Sequence, residues 1–293
     1  MSARLMEKLF VGLLAGWVML ASGWVPARAA NLGLAMQAAA TDWSQGHNSR
    51  ARVVVSDIAE EPWSNKRLAG VHVQLDDDWK TYWRAPGDAG GIPPHFDWSG
   101  SRNVARADVL YPAPGRLKDA YGQSVGYKHE VLFPVVLTPK DPSKPMHLRL
   151  NFAYGVCKDI CIPAEAQLEM QVGAVSVGTE AGPLLRRYLD RVPLKGANAA
   201  KIVKFKSTLD GDRPEFVVDA LFEQGAEGAD LFVEAADGIF VPLPKIIPTK
   251  TNGHVRFQID LTKSEDPKLF KGRALKLTLV SDRAQSETAW QLE

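Results

Sequence analysis

Short runs in which hydrophobic and polar residues alternate fill most of the chain, and Gly, Pro, Asp and Asn separate the runs. Alternation with a period of two is typical of half-buried β-strands, because successive side chains point to opposite faces of a sheet. In the first part of the chain, the pattern predicts strands at 51–57, 67–75, 80–84, 104–111, 130–138, 147–156 and 162–172. Turn-rich pieces lie between these strands, as in a β-sandwich.

The strand pattern resumes after Gly196 and predicts a second β-sandwich. Its strands are expected at 201–207, 215–222, 230–235, 255–261, 275–280 and 288–292. Between the two sets, an amphipathic run at 179–192 opens with Thr179 and stops at Pro193, which predicts a short helix. We therefore expect an all-β protein with two sandwich domains joined by a short helical linker.

The amino terminus has the pattern of a secretory signal peptide. Arg4 and Lys8 precede an uncharged apolar run at 9–25, and Ala27 and Ala29 fit the small-x-small rule for cleavage after Ala29. A retained membrane anchor is the alternative interpretation of the same run. With 293 residues, two domains are expected. The predicted organisation is a signal peptide (1–29), a flexible lead (30–42), a first sandwich (43–175), a linker with a short helix (176–197) and a second sandwich of unknown role (198–293).

Charge and composition exclude several classes of function. Lys and Arg number 35 against 34 Asp and Glu, so there is no broad electrostatic field to attract nucleic acid or an anionic membrane. No later stretch approaches the roughly 18 consecutive apolar residues of a membrane-spanning helix, so we expect no stable membrane insertion. Gly-x-Ser-x-Gly and P-loop patterns are missing from the sequence, and we expect no cofactor.

The chain has two cysteines, Cys157 and Cys161, at the point where two arms of alternating polarity meet. On the first arm, Cys157 has the parity of polar residues such as Asn151, and on the second arm Cys161 has the parity of Glu165. If 158–160 is the loop of a hairpin, the cysteines lie opposite each other, where Cα separations of about 4.5 to 5.5 Å suit a disulfide. Both sulfurs are then expected to face outward and to be accessible.

A disulfide across so short a loop removes little entropy from the unfolded chain, so stabilising the fold is a poor explanation for it. Exchange with other thiols is the favoured interpretation. A plain surface disulfide and a site for a soft metal such as Cu(I) remain alternatives. A zinc site is disfavoured, because no further Cys or His lies nearby at ligand spacing.

Three stretches resemble the amino-terminal periplasmic domain of the DsbD-type thiol:disulfide interchange proteins, including relatives tied to suppression of copper sensitivity. They are DWKTYWRAPGDAGGIPPHFDWSG (78–100), YPAPGRLKDAYGQSVGYKHEVLFPV (111–135) and YGVCKDICIPAEAQL (154–168). The resemblance covers about residues 43–172. It implies an immunoglobulin-like sandwich in the periplasm whose cysteine pair takes electrons from a membrane-embedded thiol reductase. The implied acceptors are periplasmic thioredoxin-like proteins or cytochrome c maturation factors.

The resemblance also implies roles for individual residues. Cys161 would form the mixed disulfide with a partner, and Cys157 would resolve it. Family members cover the cysteines with a mobile cap loop, which matches 118–122 here, so Tyr121 is the candidate lid. Asp119, Tyr82 and Tyr127 are further candidates for the cap or the cleft around the cysteines.

The chain departs from the family pattern at three points. Ala120 occupies the tip of the cap, where the family has a bulky aromatic residue, and only three residues separate the cysteines. Neither the transmembrane reductase nor the thioredoxin-like domain of the full-length proteins follows, so we expect a separate protein to supply the electrons. The alternative function is a binding module for copper handling or cytochrome assembly, with a structural or metal-binding cysteine pair.

Overall fold

A computed structural model describes residues 39–58, 61–63, 66–119, 122–173, 179–196, 199–235, 238–249 and 251–292. The predicted signal peptide and most of the predicted lead lie outside these residues, as does Tyr121. In the described part of the chain, no helix has both the length and the hydropathy needed to cross a membrane.

The first half of the chain folds into two antiparallel sheets. Its strands are β1 (Ser44–Gly46), β2 (Ser49–Val55), β3 (Arg67–Leu75), β4 (Lys80–Tyr82), β5 (His95–Asp97), β6 (Val104–Val109), β7 (Gly115–Asp119), β8 (Gly122–Lys128), β9 (Glu130–Pro139), β10 (Met146–Cys157) and β11 (Cys161–Val172). One sheet has the order β1-β2-β3-β9-β6, and the other has the order β11-β10-β4-β8-β7, with β5 paired to β10. Both sheets contribute to one hydrophobic core, so this half is a β-sandwich.

Aromatic side chains fill the centre of this first sandwich. Phe152 stacks on Phe96 and on Tyr154, with ring centroids 4.9 and 4.5 Å apart, and Phe133 meets Phe96 edge-on at 5.4 Å. Phe152 and Tyr154 lie two residues apart on β10, so alternation along the strand places both in the core. The aromatic core therefore fixes which face of β10 points inward.

The helix α1 (Gly182–Leu189) packs on the first sandwich. It is shorter than the predicted 179–192. Leu185 and Tyr188 are buried, and the Tyr188 hydroxyl donates to the carbonyl oxygen of Glu130 at 3.2 Å. The amide of Ala113 donates to the carbonyl oxygen of Arg191 at 2.7 Å just after the helix. These contacts attach the segment between the two sandwiches to the first one.

The remaining strands form a second sandwich with a hydrophobic core of its own. They are β12 (Leu194–Lys195), β13 (Ala200–Thr208), β14 (Glu215–Phe222), β15 (Asp230–Ala235), β16 (Lys245–Pro248), β17 (His254–Asp260), β18 (Ala274–Val280) and β19 (Gln285–Gln291), with 3-10 turns at Leu261–Lys263 and Pro267–Phe270. The sheets have the orders β12-β19-β18-β15 and β13-β14-β17-β16. The prediction of an all-β chain with two immunoglobulin-like sandwiches is confirmed.

The two sandwiches are in direct contact. Phe232 and Val280 of the second sandwich belong to the hydrophobic core of the first, and the rings of Trp83 and Phe232 lie 5.6 Å apart. Arg116 on β7 forms a two-pronged ion pair with Asp230 on β15, at 2.6 and 2.7 Å. The junction thus combines apolar packing with charged hydrogen bonds.

Candidate redox site

The two cysteines end the hairpin formed by β10 and β11. Cys157 pairs with Cys161 at the last position of the antiparallel ladder, and residues 158–160 form the turn. The Cα atoms are 4.2 Å apart and the sulfurs form a disulfide. The prediction that a hairpin brings the two cysteines together is confirmed.

Accessibility differs sharply between the two cysteines. Cys161 is exposed, whereas only 1% of the surface of Cys157 is accessible. The prediction that both sulfurs face outward is therefore wrong for Cys157. A thiolate from another protein can approach this disulfide only at Cys161.

The segment around Ile92 lies over the outer face of β10 at Gly155, and the Tyr82 side chain lies against Cys157 on the same face. The amide of Gly155 donates to the carbonyl oxygen of Ile92 at 3.1 Å. A Cβ atom at Gly155 would lie 2.7 Å from the Cβ of Ile92, so only glycine permits this approach. Tyr154 and Val156 face the core, and Gly155 and Cys157 on the opposite face are buried as well, although the sequence alternates in polarity.

Tyr82 on β4 contacts both sulfurs. Its hydroxyl donates to the Sγ of Cys157 at 2.8 Å and lies 3.0 Å from the Sγ of Cys161, and only 2% of the residue is exposed. Gly91 makes room for the ring, since a Cβ there would lie 2.3 Å from a ring carbon and its φ of +150° is unfavourable for other residues. Tyr82 was predicted as a cleft residue, and the structure places it in hydrogen-bond contact with the disulfide.

Lys80 brings a buried positive charge to the same face of β4. It pairs with Cys157 across β4 and β10, so the two side chains share one face of the sheet. Its ammonium group donates to the Oγ of Ser124 at 2.9 Å. The hydroxyl of Thr81, between Lys80 and Tyr82, donates to the carbonyl oxygen of Gly155 at 2.8 Å and ties β4 to the cysteine hairpin.

The turn between the cysteines carries one ion pair and one exposed apolar side chain. Lys158 pairs with Asp78 at 3.0 Å, and this hydrogen bond and charge lower the pKa of the Asp78 carboxyl. The charge of Lys158 is therefore already paired with a carboxylate. Ile160 is 65% exposed immediately beside Cys161, where an incoming protein would meet it.

The other predicted cap and cleft residues either lie away from the cysteines or are not among the residues that the structure describes. Tyr127 is in the core of the first sandwich, where its hydroxyl donates to the carbonyl oxygen of Pro112 at 2.8 Å and burial raises its pKa well above the usual value. Tyr127 pairs with Thr81, not with Tyr82, so the two tyrosines point to opposite faces. The backbone of Asp119 pairs with Gly122 at the end of the β7–β8 hairpin, but Tyr121 lies outside the described residues. A lid at Tyr121 therefore stays a prediction.

No group of three or more His, Cys, Asp or Glu side chains that could hold a metal ion occurs among the described residues. The chemistry that this arrangement offers is that of its disulfide. One sulfur is open to attack, and the other is buried beside a hydroxyl donor and within the same face as an ammonium group.

Comparison with known proteins supports this chemistry. Residues 53–172 match the family described as thiol:disulfide interchange protein DsbD, N-terminal. A crystal structure of the N-terminal periplasmic domain of ScsB from Proteus mirabilis has the same fold, with a TM-score of 0.64 and 20% identity. The match covers 87% of this chain and 98% of that one, so it extends beyond residues 53–172 into the second sandwich.

A bovine butyrophilin structure also matches, with a TM-score of 0.22, 9% identity, and coverage of 77% of this chain and 91% of that chain. No curated protein sequence matches the chain. The family match spans the strands from β2 to β11, including both cysteines and Tyr82. The resemblance of residues 53–172 to the DsbD amino-terminal thiol:disulfide interchange domains is therefore confirmed.

Proposed function

We propose that this chain relays electrons by thiol:disulfide exchange through Cys157 and Cys161. The proposed donor is a membrane-embedded thiol reductase, and the proposed acceptors are periplasmic thioredoxin-like or cytochrome-maturation proteins. The observation that carries the proposal is the asymmetry of the disulfide, with Cys161 exposed and Cys157 buried against the Tyr82 hydroxyl. The periplasm is the proposed compartment, because the amino terminus predicts export and the solved ScsB structure is a periplasmic domain.

Reduction begins when a donor thiolate attacks the Sγ of Cys161. A new bond joins the donor sulfur to Cys161, the bond between Cys161 and Cys157 breaks, and Cys157 leaves as a thiolate. A second thiolate of the donor then attacks the donor's first sulfur in the mixed disulfide, and Cys161 leaves as a thiolate. The donor has become a disulfide, and this chain has gained two electrons.

Delivery to an acceptor runs through the same atoms in reverse. The Cys161 thiolate attacks the acceptor disulfide and forms a mixed disulfide, and the acceptor releases its other sulfur as a thiolate. Cys157 then attacks Cys161, re-forms the internal disulfide and frees the reduced acceptor. The burial of Cys157 suits a resolving role, since it needs to reach only Cys161.

The Tyr82 hydroxyl stabilises the buried sulfur of Cys157 both when the disulfide is reduced and when it forms again. A thiolate that forms in a buried site loses hydration free energy, and a hydroxyl donor at 2.8 Å offsets part of that loss. A lower basicity of the leaving sulfur speeds its departure in exchange reactions. The hydroxyl is therefore placed where negative charge develops during attack on Cys161.

A redox titration with thiol trapping tests the proposal. The purified protein is equilibrated in dithiothreitol or glutathione buffers, free thiols are alkylated, and the fraction of the dithiol form is measured. A reversible two-electron transition above about −300 mV supports a relay, and a midpoint below that value indicates an inert structural disulfide.

Variants with one cysteine test which sulfur the partners meet. With Cys157→Ser, the remaining Cys161 is expected to form a stable mixed disulfide with a thioredoxin-like protein. With Cys161→Ser, the buried Cys157 is expected to form little or none. Equal trapping by the two variants would contradict the assignment.

A further inference from the structure

The second sandwich holds the strand that carries Tyr82. Arg84 follows Tyr82 by two residues, and its guanidinium group forms a bidentate ion pair with Glu234 on β15, with three hydrogen bonds of 2.7 to 2.9 Å. A second carboxylate, Glu287 on β19, accepts from the same guanidinium group at 2.5 Å. Arg84 therefore connects β4 of the first sandwich to two strands of the second.

This ion-pair cluster is largely shielded from water. The side chains of Arg84, Glu234 and Glu287 are 20%, 17% and 12% exposed. Burial lowers the pKa of Arg84, but the hydrogen bonds and charges of the two glutamates raise it by more, so the net shift is upward. The guanidinium group also lies over the Trp83 ring, 4.3 Å from its centroid. Such a cluster has one defined geometry, because planar bidentate pairing restricts orientation.

The strand β4 needs this support because it is only three residues long. On its amino-terminal side, Lys80 pairs with Cys157 at the end of β10. On its carboxyl-terminal side, the Trp83 ring packs against Phe232 of the second sandwich and Arg84 is bound to Glu234. The ladders with β10 and β8 hold the centre of this short strand, the contacts at its two ends add to them, and Tyr82 lies next to the carboxyl-terminal contacts.

We infer that Arg84 is a positioning residue for thiol exchange, and that the second sandwich, through Glu234 and Glu287, holds the Tyr82 hydroxyl against the disulfide. This inference rests on the proposed function. It gives the second sandwich a role in the reaction that residues 53–172 alone do not supply. A shift of Tyr82 by about 1 Å would weaken both hydroxyl contacts, because hydrogen bonds lose strength steeply with distance.

The test removes a carboxylate that is remote from the sulfurs. In Glu234→Ala, reduction by dithiothreitol is expected to be about 5-fold slower, since hydrogen bonds to charged groups are strong and part of this one is lost. The equilibrium with dithiothreitol is expected to shift about 3-fold toward the disulfide, which equals about 14 mV for a two-electron couple. Glu234→Gln keeps an oxygen acceptor for Arg84 and is expected to restore most of the parent behaviour.

A double-mutant cycle separates positioning from general destabilisation. In a Tyr82→Phe background, which has no hydroxyl to position, Glu234→Ala is expected to change the rate by less than about 2-fold. Asp219→Ala removes another bidentate pair, with Arg256, that lies entirely within the second sandwich, and it is expected to leave the rate and the equilibrium unchanged. If Glu234→Ala folds poorly, Arg84→Lys, which keeps the charge but loses the bidentate pairing, is compared in the two backgrounds instead and is expected to slow reduction only where the Tyr82 hydroxyl is present.

Three results would overturn the inference: an unchanged rate in Glu234→Ala, a faster rate, or an equal effect with and without the Tyr82 hydroxyl. Failure of the proposed function gives a different signature. In that case the parent protein itself shows no reversible transition of Cys157 and Cys161, and the variants have no rate to compare.

Discussion

The hydroxyl of Tyr82 donates a hydrogen bond of 2.8 Å to the Sγ of Cys157. This contact joins residues 75 positions apart in the sequence and places a neutral donor beside the sulfur that carries charge during exchange. The stability of the reduced form and the rate of its formation should both depend on it.

Removal of this donor should slow reduction of the disulfide. In Tyr82→Phe, reduction by dithiothreitol is expected to be about tenfold slower, because a hydrogen bond to a charged group contributes about 1.5 to 3 kcal/mol and 1.4 kcal/mol corresponds to a factor of ten. The midpoint potential should become more negative, since the thiolate loses more than the disulfide does. Stopped-flow reduction and redox titration measure the two quantities.

Tyr127→Phe is the matched control for that variant. Tyr127 is equally a buried tyrosine, but its hydroxyl donates to the Pro112 carbonyl in the core. Its loss is expected to lower the free energy of unfolding by about 1 kcal/mol and to leave the reduction rate unchanged. A similar slowing in both variants would show that Tyr82 acts through stability.

The exposed side chain of Ile160 should contribute to partner docking. In Ile160→Asp, exchange with a thioredoxin-like protein is expected to be about tenfold slower, because an apolar contact beside Cys161 is replaced by a charge that must be desolvated. The rate with dithiothreitol should stay within about 2-fold, since a small thiol makes no such contact. Val203→Asp, at a 53% exposed position on β13, is the control and should change neither rate.

The burial of His72 should make the first sandwich less stable in acid. Burial lowers the pKa of His72, although its hydrogen bond to the Glu130 carboxylate opposes the shift. The unfolded state therefore binds more protons than the folded state as the pH falls through 6.5, and the free energy of unfolding decreases. The slope contributed by one proton is at most about 1.4 kcal/mol per pH unit.

Urea unfolding at pH 7.5 and 5.5 checks this expectation. His72→Gln should reduce the loss of stability between the two pH values, whereas His95→Gln, at an exposed position, should leave it unchanged. A parent protein that is as stable at pH 5.5 as at pH 7.5 would contradict the sign of the effect.

The ion pair between Arg116 and Asp230 should stabilise the junction of the two sandwiches. Both side chains are mostly buried, at 19% and 13% exposure, so Asp230→Asn leaves a guanidinium group without its counter-charge. We expect a loss of about 2 kcal/mol in the free energy of unfolding, below the 3 to 5 kcal/mol of fully buried pairs. Asp108→Asn breaks the exposed pair with Arg106 and should cost less than about 0.5 kcal/mol.

Alternation in the sequence was sufficient to predict the cysteine hairpin. The strand at 67–75 coincides with β3, and those at 215–222 and 230–235 coincide with β14 and β15. The arm at 147–156 is one residue shorter than β10 at each end, and the arm at 162–172 begins one residue after β11. A strand with one face in a core alternates between apolar and polar residues, and a strand buried on both faces is continuously apolar. In both cases burial leaves a pattern in the sequence that can be recognised.

The strands β7 and β8 were missed because tertiary contacts, not local propensity, form them. Glycines at 115, 122 and 126 weaken any strand pattern. Gly126 is nevertheless required in the sheet, since a Cβ there would lie 2.0 Å from the carbonyl oxygen of Thr81. Close approach of two backbones decides the conformation, and a single sequence does not reveal it.

The environment of the site depended on residues distant in the chain. Alternation placed Cys157 on the polar face of β10, but the segment at Ile92 that covers this face lies far earlier in the sequence. Tyr82 was a candidate for the cleft through the resemblance alone, and the glutamates that bind Arg84 are 150 and 203 residues away from it in the sequence. Only the fold brings these groups together.

The burial of Cys157 also fixes the regiochemistry of every covalent encounter. An incoming thiolate finds a single electrophilic atom, so each adduct forms at Cys161 and leaves the sulfur of Cys157 shielded, ready to displace the partner's sulfur. The burial of Cys157 prevents a partner from bonding to its sulfur. The disulfide between a partner and Cys161 is short-lived, because Cys157 lies next to it and can displace the partner.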